Sequence, residues 1–171
     1  MNILKKHTSP FFCVVATVAL AMSLPVSGMA NTLPGELSFT SVLSKSAEVG
    51  HVIKSNTPKD VTGKADFSYD TISHKLRFTI HYAHLSGRPT MAHFHLGTVG
   101  TNGPVIQTIC GKPAPSLLGA CPALTSSQLS GEWVVPAKYQ SALMKNDIFI
   151  NFHTDLNPKG ELRGQLEPKS S

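Results

Sequence analysis

Three histidines in this sequence are spaced so that they can share one metal ion. His93 and His95 stand two apart in Met91-Ala92-His93-Phe94-His95-Leu96-Gly97. On a β-strand, side chains two apart point the same way, so both imidazoles take one face and Ala92, Phe94 and Leu96 the other. The two positions then lie roughly 6.5–7 Å apart, and gripping one ion between them needs a third ligand from a neighbouring strand. His153 is that candidate. It alternates in phase with Phe149 and Asn151, opposite Ile148, Ile150 and Phe152. Neutral imidazoles suit copper or zinc better than the oxygen-seeking calcium or magnesium. Met91 shares the face and carries a soft thioether, although packing is its simpler role.

The residues after His153 predict its support. With Asp155–Lys159 as a five-residue hairpin loop, Thr154 pairs with Gly160, His153 with Glu161, Phe152 with Leu162, and Asn151 with Arg163. This register keeps apolar opposite apolar, as a sheet with one buried face demands. It sets the Glu161 carboxylate beside the His153 ring, where it can orient the imidazole and fix its tautomer. Asn151 and Arg163 complete the expected surroundings. The plainer alternative pairs Glu161 with Arg163 and leaves the histidines hydrogen-bonding on a polar sheet face.

Other chemistries find little footing. There is no Gly-x-Ser-x-Gly elbow, and Cys110 and Cys121 have no histidine near them in sequence. Gly97, Gly100 and Gly103 lead into a strand, not a helix, which gives no phosphate cradle. Trp133 and Tyr139 read as core or rim residues. His51, His74, His81 and His84 read as surface residues.

The elements that must position these groups are mostly strands. Leu76, Phe78, Ile80 and Tyr82 alternate with polar or small residues, as do Gly63, Ala65, Phe67 and Tyr69. Asp70–Ser73 between the two runs predicts a tight turn and a hairpin. Further strands are expected over 36–43, 91–96, 105–109, 131–135, 148–153 and 161–166. Asn102-Gly103 and Asn157-Pro158-Lys159-Gly160 mark turns. One short helix is expected from Pro136 to about Lys145. Seven or eight short strands without βαβ alternation indicate an all-β fold, an antiparallel β-sandwich of Greek-key-like connectivity.

The first thirty residues read as a secretory signal. Lys5 and Lys6 precede an apolar run from Phe11 to Leu24, and Gly28-Met29-Ala30 supplies small residues for cleavage after Ala30. That run is shorter than the roughly 20 apolar residues of a spanning helix, so no stable membrane anchor is expected. The layout is then a signal peptide (1–30), a short lead-in (31–36), one domain (37–167) and a polar tail (168–171). Loss of Lys5 and Lys6 takes the basic count from 15 to 13 against 10 acids, leaving +3. The remaining basic residues are scattered, which excludes a nucleic-acid stripe. In a periplasmic or extracellular setting, Cys110 and Cys121 are expected to form a disulfide.

Four blocks carry a family resemblance. They are Ala92-His93-Phe94-His95-Leu96-Gly97, Gly100-Thr101-Asn102-Gly103-Pro104-Val105, Ile150-Asn151-Phe152-His153-Thr154, and Pro158-Lys159-Gly160-Glu161-Leu162-Arg163-Gly164-Gln165-Leu166. In order and spacing they resemble the signature blocks of the CHRD (chordin-type) domain, over about Leu37 to Leu166. The resemblance implies an exported single-domain β-sandwich of the bacterial type, with no established enzymatic activity. More distantly, the His93-Phe94-His95 strand is similar to the copper-ligand strand of Cu/Zn superoxide dismutases. The chain departs from those enzymes by having no histidine or aspartate between Gly97 and Leu129, where the zinc-binding loop would lie. Three readings follow: a non-enzymatic exported module with a copper- or zinc-binding histidine face, a structural or protein-interaction module without metal, and, last, a copper-dependent redox enzyme.

Overall fold

A computed structural model describes residues 35–123 and 127–170. The predicted signal peptide and most of the lead-in lie outside the described residues. Among the described residues, nine strands and one α-helix follow one another: β1 (Glu36–Leu43), β2 (Thr62–Asp70), β3 (Lys75–Ala83), β4 (Pro89–Leu96), β5 (Val105–Cys110), β6 (Gln128–Val134), α1 (Ala137–Met144), β7 (Ile148–Thr154), β8 (Leu162–Gln165) and β9 (Glu167–Pro168). They form two antiparallel sheets, ordered β6-β3-β2-β1-β9 and β5-β4-β7-β8. This is the expected all-β sandwich. β6 returns to lie beside β3, and β7 beside β4, which gives the connectivity its Greek-key character.

Alternation decides which side of each strand faces in. Phe39 and Leu43 of β1, Ala65, Phe67 and Tyr69 of β2, and Leu76, Phe78, Ile80 and Tyr82 of β3 form one wall of the core. Ala92 and Phe94 of β4, Ile148, Ile150 and Phe152 of β7, and Leu162 of β8 form the other. Phe94 joins the two walls. Its ring stacks on Trp133 with centroids 5.0 Å apart, meets Phe78 edge-on at 5.6 Å and lies 6.3 Å from Phe67. The strand that carries His93 and His95 is thus nailed to the core through the residue between them.

The Asp70–Ser73 turn forms as predicted, with Asp70 Oδ1 accepting from the main-chain nitrogens of Ile72 and Ser73. The helix starts after Pro136 and buries Leu143, while Tyr139 packs near Trp133. The last predicted strand, 161–166, is shorter in the structure (Leu162–Gln165), and a further short strand follows it. Leu166 drives its side chain into the core, and the chain crosses to the other sheet, where Glu167 and Pro168 pair with Thr40 and Phe39. Beside it, a Cβ on Gly164 would lie 2.3 Å from Ser41 Oγ and 2.7 Å from the Val42 carbonyl oxygen. Glycine there lets β8 approach β1 closely, and Ser44 and Arg163 exchange main-chain hydrogen bonds of 2.9 and 3.1 Å across the corner. Among the described residues, no helix is long and apolar enough to cross a membrane.

Candidate metal centre

The predicted pairing of β7 with β8 holds at Phe152–Leu162 and Asn151–Arg163. β7 also lies against β4, with Met91 opposite His153, His93 opposite Asn151, and His95 opposite Phe149. This register brings the three histidines together. One ligand nitrogen from each of His93, His95 and His153 lies within 4.8 Å of the others. β4 makes two register shifts against β5, between Ala92 and His93 and between Phe94 and His95. On the β5 side, Ile109 and Ile106 fall out of the pairing there. Such bulges re-aim side chains locally, and these two fall just before His93 and just before His95.

Loops cover what would otherwise be an open sheet face, so His93 and His153 are buried while His95 is half-buried. Each loop meets one ring with a main-chain carbonyl. His93 Nε2 donates to the carbonyl oxygen of Lys112, in the loop after β5. His95 Nδ1 donates to that of Gly103 at 2.9 Å, and His153 Nδ1 to that of Pro158 at 3.0 Å. A carbonyl oxygen only accepts, so each contacted nitrogen carries the proton of its neutral ring. The remaining nitrogens, His93 Nδ1, His95 Nε2 and His153 Nε2, therefore hold lone pairs, and they point inward. His93 Nδ1 and His153 Nε2 face each other at 3.1 Å. The Asn151 amide oxygen lies 3.0 Å from His95 Nε2 and 3.1 Å from His153 Nε2.

Burial keeps the rings neutral. Desolvation is the main cause pushing all three pKa values down, with the neighbouring imidazoles adding to it at His95 and His153, and it takes His153 to about 4. The His95 ring stacks on Phe149 at 4.8 Å, and the Arg163 guanidinium covers the Phe149 ring at 3.6 Å. Arg163 Nη2 also donates to the carbonyls of Thr98 and Thr101, at 3.2 and 2.7 Å, which steadies the loop that carries Gly103.

Glu161 differs from expectation. The ladder begins at Leu162, and the Glu161 carboxylate turns instead into a buried network. It accepts from Ser86 N at 2.7 Å, Ser86 Oγ, Thr154 Oγ1 at 2.6 Å and Asn157 Nδ2 at 2.8 Å. The role foreseen for it at His153 falls to the Pro158 carbonyl. The supporting carbonyls of Lys112, Gly103 and Pro158 left no trace in the sequence pattern, since any residue type supplies one. The turn signals at Asn102-Gly103 and Asn157–Gly160 pointed to two of those loops, and the expected Cys110–Cys121 disulfide to the third. Cys110 and Cys121 are joined in a disulfide. Met91 stays beside Gly111, partly exposed. His81 and His84 are exposed, whereas His51 is half-buried with Nε2 3.0 Å from the Gly160 carbonyl oxygen, and His74 is half-buried with Nδ1 3.1 Å from the Tyr69 hydroxyl.

No curated protein and no solved structure matches the chain. The family model described as the CHRD domain matches residues 39–166, from the first core phenylalanine of β1 to the leucine at which the chain changes sheets. That span takes in more than half the sequence and all three loop-held histidines, and the chain accordingly belongs to the CHRD domain family.

Proposed function

We propose that this protein is an exported module that holds one zinc or copper ion at His93, His95 and His153 and does not turn over a substrate. The observation that carries this reading is the orientation of the rings. Three separate loops fix the proton on the outward nitrogen of each imidazole, so three lone pairs converge in a buried space. Facing lone pairs repel unless something electron-poor lies between them. A proton is one such occupant, but burial disfavours the charged imidazolium. A borderline metal ion, bound by neutral nitrogen, is the other. A hydrogen bond on the far nitrogen is also what tunes and orients a metal-bound histidine. The signal-like leader and the Cys110–Cys121 disulfide support export.

The test is calorimetric titration of the mature protein with Zn(II) and with Cu(II), repeated on His93→Ala, His95→Ala and His153→Ala. One ion per chain is expected, at micromolar affinity or tighter, with each variant weakened at least a hundredfold. Absence of binding to the wild type, or binding that the variants keep, would refute the reading. One observation favours the metal-free interaction module: Arg163 places a positive charge near His95, which adds to burial and to His93 in lowering its pKa. On that reading the titration gives no heat of binding with either ion.

A further inference from the structure

Resting on that reading, we infer that the Asn151 side-chain amide is the fourth ligand, so that the centre is closed by three nitrogens and one oxygen with no position left for a substrate. Asn151 is buried on β7 between the strands of His93 and Arg163, and its amide end lies 3.0 and 3.1 Å from two of the three inward nitrogens. These spacings match that between the nitrogens of His93 and His153, 3.1 Å. Four donor atoms are thus strung at nearly equal intervals: His93 Nδ1, His153 Nε2, Asn151 Oδ1 and His95 Nε2. Ligands sharing one ion at ordinary bond lengths of roughly 2.0–2.1 Å sit about 3 Å apart when adjacent and no more than about 4 Å apart when opposite. The widest histidine separation, up to 4.8 Å, exceeds this, so loading draws the rings together around the amide.

The same accounting gives Asn151 two orientations. With the oxygen end inward, as the structure sets it, its neighbours at 3.0 and 3.1 Å are both lone-pair nitrogens, so without metal that oxygen is a third acceptor among acceptors. The NH2 end, with two donors, satisfies His95 Nε2 and His153 Nε2 at once. With a cation present the need reverses, and the oxygen end turns inward as a ligand. A half-turn of one amide thus separates the metal-free from the loaded centre. An open position, which a metal centre that binds its substrate needs, is filled by this chain's own oxygen.

The experiment loads Zn(II) and Cu(II) into the mature wild-type protein, Asn151→Leu and Asn151→Asp. Asn151→Leu keeps the volume without a donor, and a 10- to 100-fold loss of zinc affinity is expected. Asn151→Asp keeps the oxygen and adds charge, and a tenfold or greater gain is expected. Azide is then added to the copper-loaded proteins. The wild-type visible spectrum is expected to be indifferent to azide, and Asn151→Leu to gain an azide band. The azide arm on wild type needs no variant, so it decides the matter even where a substitution impairs folding. Azide uptake by the wild type, or equal zinc affinity in all three proteins, overturns the fourth ligand while leaving the three-histidine centre standing. Failure of the wild type to bind either ion overturns both.

Discussion

A buried histidine held neutral makes stability depend on pH in a definite direction. Desolvation first, and then the neighbouring imidazoles, bring His153 down to about 4 in the folded protein, whereas an unfolded histidine titrates near 6.5. The unfolded chain therefore takes up the proton more readily. The stabilisation is complete above about pH 6.5 and is lost as pH falls through about 4, a loss of about 3 kcal/mol. Urea melts in the presence of chelator at pH 7 and pH 4.5 should show this decline, and His153→Gln should flatten it. A wild-type midpoint unchanged over that interval would contradict the burial argument. At this scale the histidine cluster was legible because strand alternation fixes which side chains share a face, and His93, His95 and His153 follow it. Glu161 was not, because its direction depends on where the β7–β8 ladder stops. That point is set by Ser86, Thr154 and Asn157, which compete for its carboxylate from three places in the chain.

Among the elements, the loops do the holding. The Cys110–Cys121 disulfide closes the loop that presents the Lys112 carbonyl to His93. Replacing both cysteines with serine should cost about 3 kcal/mol, the scale of a loop of this size. It should also weaken zinc binding about tenfold, because His93 loses the partner that fixes its tautomer. Denaturant unfolding and competitive zinc titration on the same variant measure the two effects. A stability loss with unaltered affinity would show that the loop does not position His93. Gly103 makes the loop before β5 fit: a Cβ there would lie 1.6 Å from the Leu96 carbonyl oxygen, so only glycine lets its own carbonyl reach His95. Strand positions were legible from period-two patterning, with β1 at its observed bounds. The bulges at Ile106 and Ile109 and the sheet change at Leu166 were not, because only the partner strands reveal the slip.

For the molecule as a whole, β4 has two functions on its two faces. Phe94 binds it to the opposite sheet through Trp133, Phe78 and Phe67, and the histidines on the other face inherit that rigidity. The fold class was readable because nearly every apolar run is short, alternating and bounded by turn residues. The closure of one corner through Ser44 and Arg163 was not, since it rests on a close approach that Gly164 permits. Export belongs to this scale too. Expressed with its leader in a secreting bacterium, the protein should leave the cytoplasm with Asn31 as its first residue, as intact-mass measurement would report. Retention in the cytoplasm with residues 1–30 attached would contradict the leader reading.

The central claim is that three imidazole lone pairs point at one another, and nitrogen-15 NMR of the histidine side chains observes this directly. In the metal-free protein at pH 7, His93 should carry its proton on Nε2, and His95 and His153 on Nδ1. Adding one equivalent of Zn(II) should shift His93 Nδ1, His95 Nε2 and His153 Nε2 together and leave the protonated nitrogens bonded to their carbonyls. Opposite tautomers in the metal-free protein, or zinc that leaves these three nitrogens where they were, would contradict the account.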